Sequence, residues 1–211
     1  MTEMINETLT RYPALSVCKD DMLAAEELMM NTYNMVGKIL VCGNGGSSAD
    51  SEHIVGELMK GFLLKRRMDK ETEQKFRHAL GDHADEFIHK LQGGIQAISL
   101  PSQSSVLSAF ANDVDASLMY AQLVYGYAKA GDLLIAISTS GNSKNVVAAA
   151  RVAKAMGINS IALTGAKPSA LSELCTCTIR VPETETFKVQ ELHLPVYHYL
   201  CAAVEQRIFG E

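Results

Sequence analysis

The sequence predicts a doubly wound α/β fold, a parallel sheet with helices packed on both faces, and three observations predict it. Strand-like and helix-like segments alternate from residue 38 to the end of the chain. The strand segments are apolar throughout rather than alternately apolar and polar, as strands buried on both faces must be. A unit of apolar strand, Ser/Gly-rich turn and helix occurs twice, in KILVCGNGGSSADSEHIVGELMKGF (38–62) and LLIAISTSGNSKNVVAAARVAKAM (133–156).

Taken in order, residues 1–36 read as N-terminal helices of the same domain. A short one precedes Pro13, and a longer one runs from about Asp20 to a stop at Gly37. The first strand–turn–helix unit follows, with Ser47, Ser48 and Asp50 as candidate helix caps. Residues 64–94 are dense in charged side chains and His, with helix-forming composition and a Gly81-Asp82 break. They predict a helical hairpin inserted into the domain that spans 37–211. IQAISL (95–100) is the next strand, and SQSSVLSAFAND (102–113) is a short helix ending in a polar turn. ASLMYAQLVYGYAKAG (116–131) is an amphipathic helix stopped by Gly131, and the helix of the second unit is capped near Asn142 or Ser143. The strand SIALTG (160–165), the helix of PSALSELC (168–175), the strand CTIRVP (177–182) and a long helix from about Glu185 to Arg207 complete the chain.

Composition bounds the function. A chain of 211 residues, 47% apolar and 20% charged, buries one full core and needs no disordered segment. A net charge of −5 argues against a nucleic-acid binder, and Lys65-Arg66-Arg67 is too short a basic cluster to change that. No apolar run is long enough to span a membrane, and the polar N-terminus is unlike a signal peptide, so a cytoplasmic protein is expected. The five cysteines follow no disulfide or zinc-knuckle spacing and read as reduced thiols, with Cys175 and Cys177 packed at a strand.

In an open parallel sheet, ligands sit beyond the carboxyl ends of the strands, where loops lead into helix N-termini. Gly43-Asn44-Gly45-Gly46-Ser47-Ser48 offers backbone freedom, exposed amides and hydroxyls in front of a helix whose dipole favours an anion. Ser138-Thr139-Ser140-Gly141-Asn142-Ser143 adds a denser set of hydroxyls at the equivalent place. Either loop alone also reads as an ordinary turn and cap. Neither carries the dinucleotide or P-loop pattern, so a compact phosphate, with no nucleotide cofactor, is the expected guest.

CGNGGSSADSEH, FANDVD and ISTSGNSKNV together resemble the sugar isomerase (SIS) domain family, and most closely its phosphoheptose isomerase branch, over residues 36–208. The resemblance implies a flavodoxin-like, five-stranded parallel sheet and a homotetramer with active sites between subunits. It implies that Ser138, Thr139, Ser140 and Ser143 hold the sugar phosphate. Asn44, Gly45, Gly46, Ser47, Asn112, Asp113 and Gln190 would line the rest of the substrate. Asn112-Asp113 taken alone is also simply a turn.

Moving a carbonyl between C1 and C2 of a sugar needs one group for a carbon-bound proton and one for the oxygen's proton. By the same resemblance those groups are Glu57 and His198, and the reaction an aldose–ketose isomerisation such as sedoheptulose 7-phosphate to a heptose 7-phosphate. Read without it, Glu57 pairs with His53 one turn back and His198 is a core histidine. His53 and Glu57 at i and i+4 can also seed a zinc site. The resemblance completes that site with Gln190 and His198, eight residues apart or about 12 Å along a straight helix. Pro195 lies between them and should kink or loosen the helix, ligands from neighbouring subunits are the other route to the site, and His193 is a spare ligand or a donor to a backbone carbonyl.

The chain departs from the resembling enzymes at Phe187, where they carry an aspartate that touches the sugar. It departs again at Lys60-Gly61-Phe62, in place of Gly-Arg-aromatic, and in the longer 64–94 connection. Two other functions fit the same domain. One is a non-catalytic module that binds a replication initiator protein, whose known examples tend to lack the Gln and His of the last helix. The other is a sugar-phosphate sensor, which needs the loops but no acid–base pair.

Overall fold

In the computed structural model, which describes residues 2–210, the five strands are β1 (Ile39–Cys42), β2 (Ala97–Ser99), β3 (Leu133–Ile137), β4 (Asn159–Thr164) and β5 (Cys177–Arg180). They form one sheet, parallel throughout, in the order β2-β1-β3-β4-β5. This is the flavodoxin-like order. Val41 pairs with Ser99 on one side and Ile135 on the other, and Ile135 pairs with Ile161. The carboxyl ends of the central strands therefore finish level.

Side-chain alternation divides the strands between two cores. Ile39, Val41, Ile135, Ile137, Ile161, Leu163 and Ile179 face a layer built from α1 (Thr2–Arg11), α2 (Lys19–Asn34), α3 (Gly46–Met59) and α10 (Thr186–Phe209). Ile5, Leu15, Met22 and Met29 of the N-terminal segment belong to this same cluster. Leu40, Cys42, Leu134, Ala136 and Ala162 face the other layer, built from α6 (Ser104–Phe110), α7 (Met119–Tyr127), α8 (Lys144–Ala155) and α9 (Ala170–Leu174). Burial of both faces explains why these strands are apolar at every position.

Between α3 and β2 the inserted segment forms a hairpin of α4 (Lys70–Leu80) and α5 (Ala84–Lys90). Asp69 caps α4 by accepting the Thr72 amide at 2.9 Å, and Gly81 turns the chain at φ 54°. No residue of α4 is buried, and only Ala84 and Ile88 anchor α5. The mixed charges are a solvated face.

Several helix ends differ from the sequence reading. The stop of α2 falls at Asn34, and the left-handed residue is Val36 at φ 55°, with the Gly37 amide bonding the Thr32 carbonyl and the Val36 amide the Tyr33 carbonyl. This is a Schellman closure with a β-branched residue in the position glycine usually takes. Gly37 is required instead by close approach, because a Cβ there would collide with the Gly131 carbonyl. Helix α7 ends at Tyr127, before Gly131, which supplies φ 92° in the turn that follows. Ser47, Ser48 and Asp50 do not cap α3. Gly45 holds that position at φ 57°, and the three lie inside the first turns. A short 3-10 turn, Pro13–Cys18, which no sequence signal indicated, links α1 to α2.

Candidate active site

The sheet order reverses between β1 and β3: the chain leaves β1 towards one face and β3 towards the other. The crevice above that pair is where such a sheet binds ligands, and both Ser/Gly loops open into it. The first loop is pinned by Tyr120, whose hydroxyl donates to the Gly43 carbonyl at 2.7 Å. Asn44 and Asn145 exchange amide hydrogen bonds at 2.8 and 2.9 Å, tying the two loops together. Gly46 and Gln190 are in close contact, since a Cβ on Gly46 would stand 2.5 Å from Gln190 Nε2. Gln190 thus reaches the first loop from the start of α10.

In the second loop, Ser138 Oγ and Ser143 Oγ lie 2.9 Å apart, drawing its two ends together. Gly141 turns at φ 66° under Ser169, where a Cβ would collide with the serine hydroxyl. Asn142 buttresses the turn: its amide donates to Ser140 Oγ at 3.2 Å and its Oδ1 accepts the Ala170 amide at 3.0 Å. Ser143 stands at the N-cap of α8 as expected, but its side chain bonds no helix amide. In the first turn of α8 the Val146 amide donates to Asn145 Oδ1 at 3.0 Å, and the amides ahead of it stand beside the Ser138, Thr139, Ser140 and Ser143 hydroxyls, which is the chemistry an anion binds.

Below the rim, α3 and α10 run side by side. Gly46 meets Gln190 at the top, and His53 meets Tyr197 and His198 further down. His53 Nε2 lies 3.2 Å from Glu57 Oε1 and 3.4 Å from His198 Nε2, so one imidazole joins the two expected proton carriers. His53 Nδ1 is 3.1 Å from the Tyr197 hydroxyl, which donates to Asp50 Oδ1 at 3.2 Å. Lys60 reaches back to the second Glu57 oxygen at 3.0 Å. The Phe62 ring covers His198 with centroids 5.5 Å apart.

Burial, and then the neighbouring His53, push the His198 imidazole below its ordinary range, against the opposing pull of Glu57. Burial also raises the Asp50 carboxyl, and Asp50 Oδ2 is buried without a partner. His193 is fully buried and is no ligand: its Nε2 sits 3.3 Å from the Thr164 carbonyl, and burial lowers its pKa to about 4.

Not every expected residue joins this cluster. Gln190 stays at the rim, about 12 Å up the α10 axis from His198, since Pro195 leaves α10 continuous. Asn112 and Asp113 lie in a π-helical turn, Ala111–Asp115, exposed and bonded to each other at 2.9 Å. Nor do His53, Glu57, Gln190 and His198 fit a zinc cage within one chain. Lys60 holds one Glu57 oxygen, Gln190 is remote, and no group of three or more His, Cys, Asp or Glu among the described residues is placed to hold an ion. Asn145 and Tyr197 were missed by the sequence reading, which took Asp50 only for a helix cap and Lys60 only for a departure from the resembling enzymes. Lys60 alone left a signal, its i+3 spacing from Glu57.

Known proteins resemble this chain in sequence and in fold. The SIS domain matches residues 104–203. Phosphoheptose isomerase 2 of Campylobacter jejuni is 36% identical over 183 residues, 87% of this chain and 78% of that protein. The phosphoheptose isomerase of Akkermansia muciniphila is 32% identical over 199 residues, 94% of this chain and 92% of that protein. The solved phosphoheptose isomerase from Neisseria gonorrhoeae superposes with a TM-score of 0.74 at 27% identity, covering 95% of this chain and 94% of that one. The chain belongs to the SIS-domain family, in its phosphoheptose isomerase branch.

Proposed function

We propose that the protein interconverts the aldose and ketose forms of a phosphorylated sugar, with Glu57 and His198 carrying the protons. One observation bears most of the weight: both side chains meet the same imidazole, His53, on the helix that descends from the glycine loop. The Ser138–Ser143 loop takes the phosphate. Glu57 removes the proton from the carbon beside the carbonyl, and His198, neutral at pH 7, passes the hydroxyl proton between the two oxygens. The enediol so formed takes its carbon-bound proton back on the neighbouring carbon, so substrate and product are isomers and nothing is consumed.

The proposed substrate is sedoheptulose 7-phosphate. Support comes from the relatives' names, while Phe187, 56% exposed at the start of α10, makes that wall apolar and calls for a panel of sugar phosphates. A homotetramer with sites between subunits is the proposed working unit, supported by the two helical turns that separate the rim loops from His198 within a chain. A cytoplasmic location agrees with five free cysteines, and no helix among the described residues is long and apolar enough to cross a membrane. Retention of Gln190 and His198 favours catalysis over an initiator-binding module or a sensor.

The test is NMR of ketose phosphates incubated with the protein in deuterated water. Turnover with deuterium entering at C2 is expected. Neither turnover nor exchange across the panel would end the isomerase reading, and light scattering measures the assembly separately.

A further inference from the structure

The end of α3 and the loop that leaves it are held by a buried ion pair that no step above uses. Arg66 is 1% exposed and Glu205 is fully buried, with Arg66 Nε donating to Glu205 Oε1 at 2.7 Å. The other guanidinium nitrogens donate to the Leu58 carbonyl and, at 2.8 Å, to the Glu57 carbonyl. Those are carbonyls that a helix end leaves without partners from its own amides, although the Leu58 carbonyl also accepts the Ile95 amide at 2.9 Å. Glu205 in turn accepts the amides of Phe62 and Leu63 at 2.7 Å each and of Leu64 at 3.2 Å.

The pair therefore fixes both ends of one turn. At one end is the helical backbone that carries Glu57, and at the other the loop that lays Phe62 against His198. A buried ion pair adds little net stability over a well-packed apolar replacement. What these hydrogen bonds do supply is a single conformation for the turn. Burial pushes the Glu205 carboxyl up, but the Phe62 and Leu63 amides and Arg66 outweigh it and keep it ionised.

We infer that Arg66 and Glu205 are positioning residues for the isomerisation, holding Glu57 and His198 in reacting geometry from outside the substrate site. The inference rests on the reading of that pair as the proton carriers.

Two variants of the full chain test it. Arg66→Lys keeps the charge but cannot bond both helix carbonyls, and Glu205→Gln keeps the shape but turns one acceptor into a donor facing backbone amides. Asp132→Asn is the control, because Asp132 is also buried and ion-paired, to Lys38 at 2.5 Å, but at the opposite end of the sheet. Kinetics use the sugar phosphate that the unmodified chain turns over, and NMR follows the His198 imidazole proton.

In both variants kcat should fall about tenfold or more with KM within about twofold, the pattern of displaced catalytic groups. The His198 resonance should move as the Phe62 ring shifts. Asp132→Asn should lower Tm and leave kcat and the resonance alone. Unchanged kcat and resonance in folded variants, or an equal kcat loss in the control, overturns the inference. Should neither variant fold, Phe62→Leu reads the same link. Lowered kcat with a moved resonance supports it, and no change in either overturns it. Absence of turnover by the unmodified chain instead removes the isomerase reading, and the inference falls with it.

Discussion

His53 and His198 face each other through their Nε2 atoms at 3.4 Å. Two imidazoles at that distance do not both carry a proton on the facing nitrogen without repulsion. Burial and His53 together therefore favour a neutral His198, the form that can accept a proton. Tyr197 and Asp50 stand behind His53, so its orientation is set from the protein interior rather than by solvent.

A lowered pKa means that His198 takes its proton only at lower pH than an ordinary histidine. The acid limb of kcat/KM should accordingly lie below 6.5, the ordinary imidazole value. A pH–rate profile measures this. A limb centred above 6.5 would show that the imidazole is stabilised in its charged form, against the geometry.

Glu57→Gln preserves shape and most contacts but removes the carboxylate. Turnover should drop by about 10² to 10⁴, the usual contribution of a general base. Binding of the sugar phosphate by calorimetry should change little, because the phosphate loop is untouched. Near-normal turnover in this variant would assign the carbon proton to another group.

The fold was legible because its signals are local. Apolar strand runs, two Ser/Gly turns and helix-forming stretches required no knowledge of distant contacts. The two loops were legible from their own residues and their place after apolar strands, whereas Glu57 and His198 were reached through motif resemblance. Their relation was not legible: Asn145 matters because of Asn44, and Asp50 because of Tyr197, pairings set by how helices lie on the sheet. Helix ends misled for a similar reason. Gly37 and Gly131 read as stops, yet Val36 takes the left-handed turn, while the two glycines abut each other across the base of the sheet.

Gly141 and Gly45 separate two demands made of glycine in the loops. Both have positive φ, 66° and 57°, but a Cβ on Gly141 collides with Ser169 whereas one on Gly45 meets nothing within 4 Å. At ψ −120° Gly45 lies outside the left-handed helical region, so Gly45→Ala should cost backbone strain alone, about 1–3 kcal/mol. Gly141→Ala should also displace the serine hydroxyls and weaken sugar-phosphate binding by about 1.5–3 kcal/mol, the scale of one hydrogen bond to a charged group. Calorimetry and thermal melts on both variants decide, and equal binding losses would contradict the assignment of the phosphate to the second loop.

His193 offers a test that involves no substrate. It is fully buried, its Nδ1 has no partner, and burial lowers its pKa from 6.5 to about 4 despite the bond to the Thr164 carbonyl. The unfolded chain therefore binds this proton at higher pH than the folded one. Stability from keeping the ring neutral is complete above 6.5 and is lost as pH falls through about 4. Within that window the loss approaches about 1.4 kcal/mol per pH unit. Glu205, held below the ordinary carboxylate range, adds its own loss only at the acid end. Urea denaturation at stepped pH should show a shallower slope for His193→Gln across the window, even though the variant starts from lower stability at pH 7. Parallel curves would mean that the folded protein admits a charged His193, and with it water to the centre of α10.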